Sequence, residues 1–293
     1  MATPRTESVS LSHPTQNMHL TTNSFPPIRA CLFDMDGLLL NTEDLYTTCH
    51  NILLARYSRG PMTWSIKAQL QGRPSTEAIK LLYAWSNLTD DIVTPEEYTR
   101  QLQIIQEQEF RKAEALPGVE KLLSDLSNAK SGESGRKLHI ALATSSDKTR
   151  FDIKTGHLEG LFRGFVQERR VLGDDVRIPK GRGKPCPDIY LLALKTINDG
   201  LEEGEELIKP EECLVFEDGI PGVVAGRRAG MRLAWCPHPG LAAEIKGKEA
   251  QVLAGLGEGA EEGESGKIGD GYGEQYMSLV DFPYTRYGIA VEN

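Results

Sequence analysis

The chain has 293 residues and a formal net charge of −9, with 39% hydrophobic and 26% charged residues. This composition is typical of a globular protein whose core is held in one large domain or two smaller ones. The negative charge argues against a nucleic-acid-binding protein, which usually carries a basic face, but it is compatible with a small anionic substrate.

Neither the cysteines nor the N-terminal segment indicates export or a membrane anchor. The five cysteines are odd in number and form no CxxC pair, which favours reduced thiols in a reducing compartment. No apolar run reaches the ~18 residues of a spanning helix, and residues 1–27 lack the apolar centre of a signal peptide. We therefore expect a cytoplasmic protein with a disordered tail over 1–27, with a transit peptide as the minor alternative. We also expect a monomer with no nucleic-acid or membrane partner.

A short strand and a helical block come first in chain order. Residues 30–33 are apolar and are followed by two aspartates and a glycine. This pattern is typical of a buried strand in a parallel sheet. Only helical patterns follow, which predicts an inserted helical lid over residues 44–112. Its helices are predicted at 43–56, 63–70, 74–86 and 95–112.

Strands and helices alternate after this block, and their rhythm predicts an α/β fold with a doubly wound parallel sheet. Residues 28–43 and 113–293 would form this α/β core. Three polar stretches, 130–136, 200–206 and 255–273, are predicted to be surface insertions. Helices are predicted at 116–127, 145–157, 185–198 and 220–229, and strands at 138–144, 165–167, 213–216 and 232–235.

Polar residues follow three of the predicted strands and precede one helix. Each has an ordinary structural interpretation: Asp34, Asp36 and Thr144 as turn or cap residues, Lys184 as a solvated surface residue, and Glu217–Asp218 as first-turn acids. Ligands bind beyond the carboxyl ends of the strands in open α/β sheets, so the whole set predicts one phosphate-and-metal site.

The residue types suit phosphoryl transfer. A carboxylate such as Asp34 is a competent nucleophile towards phosphorus, and a divalent cation would offset its repulsion from a phosphate dianion. Asp218 offers a hard oxygen ligand suited to Mg²⁺, while Thr144 and Lys184 can contact phosphoryl oxygens. Asp36 can protonate the leaving oxygen and then activate water.

Four segments carry a family resemblance: FDMDGL (33–38), ALATSS (141–146), GKPCPDIY (183–190) and LVFEDGIPGV (214–223). Together they resemble the motifs of the haloacid dehalogenase superfamily, in the subgroup whose helical cap lies between the first two motifs. The resemblance covers about residues 28 to 245. It implies a Rossmann-like parallel-sheet core with an inserted α-helical cap, and Mg²⁺-dependent phosphoryl transfer through an aspartyl-phosphate.

The resemblance also implies a role for each matched residue. Asp34 would be nucleophile and metal ligand, and Asp36 the general acid/base that lends its backbone carbonyl to the metal. Asp218 would bind the metal directly and Glu217 through water. The phosphoryl group would be bound by Thr144, Ser145 and Lys184.

The substrate is less constrained than the chemistry. The segments from Asp34 to Tyr46 and around Thr144 and Cys213 are similar to those of pseudouridine-5′-phosphatases and their fungal relatives, although Asn41 stands where Asp is common. This implies a small phosphomonoester of nucleotide or sugar type. Hexose-phosphate phosphatases and β-phosphoglucomutases share the motifs and are the alternative. A non-catalytic binding member of the fold is a further one, although every motif residue is present.

One turn of the predicted cap stands out as a substrate contact. Gly72 and Arg73 lie between two predicted helices, where a cation would be lowered onto the substrate when the cap closes. The ordinary interpretation is a helix start with a solvated Arg73, and the sequence supports both equally.

Overall fold

The computed structural model describes residues 25–71, 73, 75–132, 135–256 and 266–291. The strands in this part of the chain are β1 (Ala30–Phe33), β2 (Lys130–Ser131), β3 (Arg136–Lys137), β4 (His139–Ala143), β5 (Arg170–Val171), β6 (Cys213–Glu217), β7 (Arg232–Trp235), β8 (Gly273–Gln275) and β9 (Ile289–Ala290).

The helices are α1 (Thr42–Arg56), α2 (Trp64–Leu70), α3 (Ser75–Ser86), α4 (Pro95–Glu109), α5 (Val119–Asn128), α6 (Lys148–Thr155), α7 (Glu159–Phe162), α8 (Asp188–Asn198), α9 (Ile220–Arg228), α10 (Pro239–Glu244) and α11 (Glu249–Leu253). Short 3₁₀ helices occupy Phe110–Lys112, Gln167–Arg169, Pro210–Glu212 and Tyr284–Tyr287. No helix among the described residues is long and apolar enough to cross a membrane.

Six strands form one parallel sheet in the order β5-β4-β1-β6-β7-β8. Its central strand β1 alternates between two cores: Cys31 and Phe33 pack on one face, Ala30 and Leu32 on the other. Both faces are covered, so the strand is apolar throughout, as expected for a buried parallel sheet.

Helices α1 to α4 lie between β1 and α5 and have an apolar cluster of their own, which includes Cys49, Leu53, Tyr98 and Phe110. The predicted fold class is therefore confirmed: a Rossmann-like parallel-sheet core carries an inserted α-helical cap. The placement of the cap's boundaries at residues 44 and 112 stays a prediction.

The predicted strand at 165–167 is wrong. Phe165 lies in a loop, and its apolar side chain packs in the core with its ring 5.7 Å from that of Phe33. This part of the chain pairs with β4 of the sheet at Arg170–Val171. The helix predicted from 145 begins at Lys148, because the Asp147 carboxylate caps it by accepting from the Arg150 amide at 2.8 Å.

The helix predicted from 185 begins instead at Asp188, after a turn that contains Pro185 and Pro187. The stretch 130–136 was predicted to be a surface insertion, but it supplies two strands to a small antiparallel sheet in the order β3-β2-β9. Residues 1–24 of the predicted tail and 257–265 of the Gly/Glu-rich stretch lie outside the described residues.

Candidate active site

Three neighbouring strands bring the predicted site residues together. β1 lies between β4 and β6, and the residues that follow these strands at the carboxyl edge include Asp34, Thr144 and Asp218. The Asp34 amide donates to the Phe216 carbonyl at 3.1 Å, and the Trp235 indole donates to the Asp218 carbonyl at 2.8 Å. The strand-end loops are thus fixed to the sheet, and ligand sites of open α/β sheets lie at this edge.

Asp34, Glu217 and Asp218 form a buried acidic cluster in which one carboxylate oxygen of each lies within 4.8 Å of the others. Burial, with the charges of Glu217 and Asp36, raises the pKa of Asp34 to about 7, although Lys184 opposes the shift. Burial and the nearby Glu43, Glu217 and Asp34 raise the pKa of Asp218 well above its usual range. Such a set of hard oxygen donors suits a divalent cation.

Lys184 is the cation built into this cluster. Its ammonium lies 2.6 Å from Asp34 Oδ1 and 2.5 Å from Glu217 Oε1. Burial alone would lower the pKa of Lys184, but the two carboxylates outweigh burial and raise it. Glu217 also accepts from the Tyr190 hydroxyl at 2.6 Å and from the amides of Asp218 and Gly219, so both of its oxygens are engaged.

Asp36 is held by a second lysine, which the sequence reasoning missed. Lys154 Nζ lies 2.5 Å from Asp36 Oδ1, and the Ser146 hydroxyl donates to Asp36 Oδ2 at 2.6 Å. Burial would raise the pKa of Asp36, but the Lys154 charge and the hydrogen bonds from Lys154, Ser146 and Thr42 lower it below its usual value. Asp34 and Asp36 therefore stand in different electrostatic surroundings, two residues apart.

The two predicted phosphate-binding hydroxyls are placed differently. Ser145 is exposed and lines a cavity of about 1020 Å³ together with Asp34, Lys184 and Asp218. Thr144 is fully buried, and its Oγ1 accepts from the Ser146 amide at 3.1 Å. The cavity is therefore bordered by a nucleophile candidate, a cation and a hydroxyl.

A second cavity of about 430 Å³ adjoins Asp36 on the cap side. Arg73 lines both cavities, and its Nε donates to the Gln69 carbonyl at 2.6 Å; Gly72 lies outside the described residues. His50 also lines the second cavity, and burial with the Lys67 charge lowers the pKa of His50 to about 4, which leaves the imidazole neutral near pH 7.

Core and cap are joined beside the acidic cluster. Glu43, at the start of α1, accepts from Lys67 at 2.9 Å and from Gln71 at 3.0 Å, both from the α2 segment. Lys67 lies 4.5 Å from the Trp64 ring, which stacks on His238 of the core at 4.4 Å. The cap is thus packed onto the core in this structure.

A parallel α/β core with an inserted helical cap and a carboxylate–lysine site at its strand ends defines a class of hydrolase. A family model for haloacid dehalogenase-like hydrolases matches residues 28–230, and the chain belongs to this family. The resemblance found in the sequence is confirmed.

Named relatives add the type of reaction. The chain is 46% identical over 231 residues to a "Probable pseudouridine-5'-phosphatase" of Saccharomyces cerevisiae, which covers 79% of this chain and 91% of that protein. It is 34% identical over 225 residues to the mitochondrial (DL)-glycerol-3-phosphatase 1 of Arabidopsis thaliana, covering 77% of this chain and 69% of that one. The protein is accordingly a phosphatase, a phosphoric monoester hydrolase, as the sequence predicted.

Solved structures agree with the fold. This chain superimposes on the crystal structure of a "putative beta-phosphoglucomutase" from Thermotoga maritima with a TM-score of 0.52 and 26% sequence identity. The match covers 78% of this chain and 98% of that one.

Proposed function

We propose that the protein is a Mg²⁺-dependent phosphatase that hydrolyses a small phosphomonoester through an aspartyl-phosphate on Asp34. The observation that carries the proposal is the contact of Asp34 with Lys184 inside a buried cluster of three carboxylates at the edge of the larger cavity. Buried carboxylates this close together are stable only when they are paired or bind a metal.

The donor set fits Mg²⁺. Asp34 and Asp218 would bind it directly, with the backbone carbonyl of Asp36, and the metal would neutralise charge on the transferring phosphoryl group. Glu217 already accepts four hydrogen bonds, which supports contact with the metal through water.

The chain's own residues would perform two displacements. Asp36 is ionised in the free site and first takes a proton from the bound phosphomonoester monoanion. In the first displacement, an Asp34 carboxylate oxygen bonds to phosphorus as the bond to the leaving oxygen breaks, and the leaving oxygen takes that proton from Asp36. In the second, Asp36 takes a proton from water as the water oxygen bonds to phosphorus. The Asp34–phosphorus bond then breaks, inorganic phosphate leaves with the proton of Asp36, and both aspartates are again ionised.

The phosphoryl group would be bound at the larger cavity. Lys184 supplies the positive charge, and Ser145 supplies polar groups that face this space. Thr144 is fully buried, and its role as a phosphoryl ligand rests on the family resemblance of its segment. The second cavity, beyond Asp36, would hold the leaving group, with Arg73 at the boundary between the two spaces. We also propose that residues 44–112 move as the lid over this site.

For the substrate we propose a nucleotide- or sugar-type monophosphate, with pseudouridine 5′-phosphate first because of the 46% identical yeast relative. The structural neighbour named for a phosphoglucomutase supports a second candidate, transfer of the phosphoryl group to a sugar hydroxyl. A cavity of about 430 Å³ falls in the range of small-molecule sites, so both substrate types are compatible with it.

The test is a panel of nucleotide, sugar and polyol monophosphates, assayed with and without Mg²⁺. Release of inorganic phosphate from pseudouridine 5′-phosphate supports the proposal, and conversion of a hexose phosphate into its isomer supports the mutase. We expect Asp34→Asn to lower kcat by at least about 10³-fold, because the nucleophile is lost. Activity retained in that variant would remove Asp34 from the mechanism.

A further inference from the structure

Lys154 has no part in the reaction as proposed above, and yet it is one of the most deeply buried charged residues of the core. Its side chain is 0% exposed, and its ammonium lies 2.5 Å from Asp36 Oδ1, 2.9 Å from Ser146 Oγ and 3.0 Å from the Tyr46 hydroxyl. Taking an ammonium out of water is costly unless its partners are well placed. The three oxygen partners therefore fix the position of the ammonium closely.

Two aromatic rings complete the surroundings of Lys154. Its Nζ lies 4.5 Å from the centroid of Phe110 and 4.7 Å from that of Tyr46, and these rings pack edge to face at 4.8 Å. Tyr46 belongs to α1, where the chain enters the helical insertion, and Phe110 to the 3₁₀ helix where it leaves. One core lysine thus contacts both connections between core and cap.

The Asp36 carboxylate is anchored at both of its oxygens, by Lys154 at Oδ1 and by Ser146 at Oδ2. A carboxylate has about four acceptor positions, and Lys154, Ser146 and Thr42 occupy three of them, so one position remains for a leaving oxygen or a water molecule. The anchors therefore restrict rotation of the side chain without occupying all of its acceptor sites.

We propose that Lys154 is a positioning residue that holds Asp36 in the orientation needed for proton transfer and links that orientation to the seating of the cap. The inference rests on the proposed role of Asp36 as general acid/base. A catalytic group acts efficiently only when it is held close to its productive geometry by the residues around it. Seating of the cap brings Tyr46 and Phe110 against Lys154, and the ammonium in turn holds the carboxylate.

The test uses the leaving group, because proton donation matters only when that group is poor. p-Nitrophenoxide departs without a proton, whereas phenoxide and the alkoxide of pseudouridine 5′-phosphate gain progressively more from general acid catalysis, which contributes about 10²–10⁴-fold. The quantity to compare is kcat/KM, which reports the first phosphoryl transfer. For Lys154→Met we expect kcat/KM to fall about 10- to 100-fold with the alkyl substrate. With p-nitrophenyl phosphate we expect it to stay within about 3-fold.

Three controls make the result decisive. Lys148→Met removes a lysine from the same helix whose side chain is 64% exposed, and hydrolysis of p-nitrophenyl phosphate, phenyl phosphate and pseudouridine 5′-phosphate should be unaffected. Asp36→Asn should show the same dependence on the leaving group, and more strongly. Adding Lys154→Met to Asp36→Asn should then cause no further loss, because a positioning effect needs the group that is positioned.

The outcomes separate this inference from the function on which it rests. If Asp36→Asn lowers kcat/KM equally for all three substrates, the general-acid role of Asp36 fails. If Asp36→Asn discriminates but Lys154→Met lowers all three equally, or lowers none, the positioning role of Lys154 is overturned. If Lys154→Met does not fold, Phe110→Leu provides the test. A fall in kcat/KM of about 3- to 10-fold that is selective for the alkyl substrate supports the link to the cap, and an equal fall for all substrates or no fall contradicts it.

Discussion

The substitution Gly37→Ala tests how closely the backbone of the first motif approaches the acidic cluster. Gly37 has a φ of +78°, a left-handed conformation that costs a non-glycine residue roughly 1–2 kcal/mol. A methyl group there would lie 2.3 Å from Asp218 Oδ2 and 2.7 Å from Glu43 Cγ. Ordinary contacts are about 3.5 Å, so the Asp218 carboxylate would have to move by about 1 Å. Gly37→Ala should therefore weaken both the fold and the proposed metal site.

Two other glycines separate these effects. Gly204 has a φ of +87° but nothing within 4 Å of an added methyl group, and Gly60 has neither a positive φ nor a neighbour. By urea unfolding in EDTA, Gly60→Ala should be neutral or stabilising by up to about 1 kcal/mol, and Gly204→Ala should lose about 1 kcal/mol. Gly37→Ala should lose about 2–4 kcal/mol, since a steric clash adds to the strain.

The metal is assayed separately, from the Mg²⁺ concentration that gives half-maximal hydrolysis of p-nitrophenyl phosphate. We expect Gly37→Ala to need at least about 10-fold more Mg²⁺, in line with the losses seen when the support of a metal ligand is disturbed. The glycine controls should match the wild type. A Gly37→Ala protein as stable as Gly204→Ala, with an unchanged Mg²⁺ requirement, would refute the close approach of Gly37 to Asp218.

Two further predictions concern cations of the site. Lys184→Met leaves Asp34 and Glu217 without the cation they share, and the free energy of unfolding in EDTA should fall by about 3–5 kcal/mol. Lys195→Met, which removes a 65% exposed lysine, should change it by less than about 1 kcal/mol, and equal losses would contradict the argument. Arg73→Ala should lower kcat/KM for pseudouridine 5′-phosphate about 10-fold and spare p-nitrophenyl phosphate, because Arg73 lies where the two cavities meet. Equal loss on both substrates would argue against a role in specificity.

The parts of the site that follow strands were predictable from the sequence. Asp34 directly follows one apolar run and Glu217–Asp218 follow another, and the geometry of parallel sheets then brings such ends to one edge. The helical insertion was also predictable, since its sequence contains only helical patterns joined by short polar turns. In each case the information is local: a run of apolar residues, its length and the residue that ends it.

The rest depends on contacts between distant segments. Lys154 lies 118 positions after Asp36. From the sequence alone, a lysine within a polar helix is predicted to be solvated, and its burial depends on packing against the distant residues of the cap. The false strand at Phe165 has a similar cause, because a buried aromatic residue in a loop has the composition of a strand. A single sequence does not reveal which buried partner an apolar or charged residue meets.

The small antiparallel sheet bears on how the protein can be handled. β9 pairs with β2, and the Ile28 amide donates to the Tyr287 carbonyl at 3.0 Å, so the segments just before β1 and just before β9 lie side by side. Ile28 precedes the first strand and Asp34 follows it, which puts the joined segments at the opposite edge of the main sheet from the cavities. Immobilisation or fluorescent labelling through the exposed residues of either segment should therefore leave the proposed lid unobstructed and substrates free to enter.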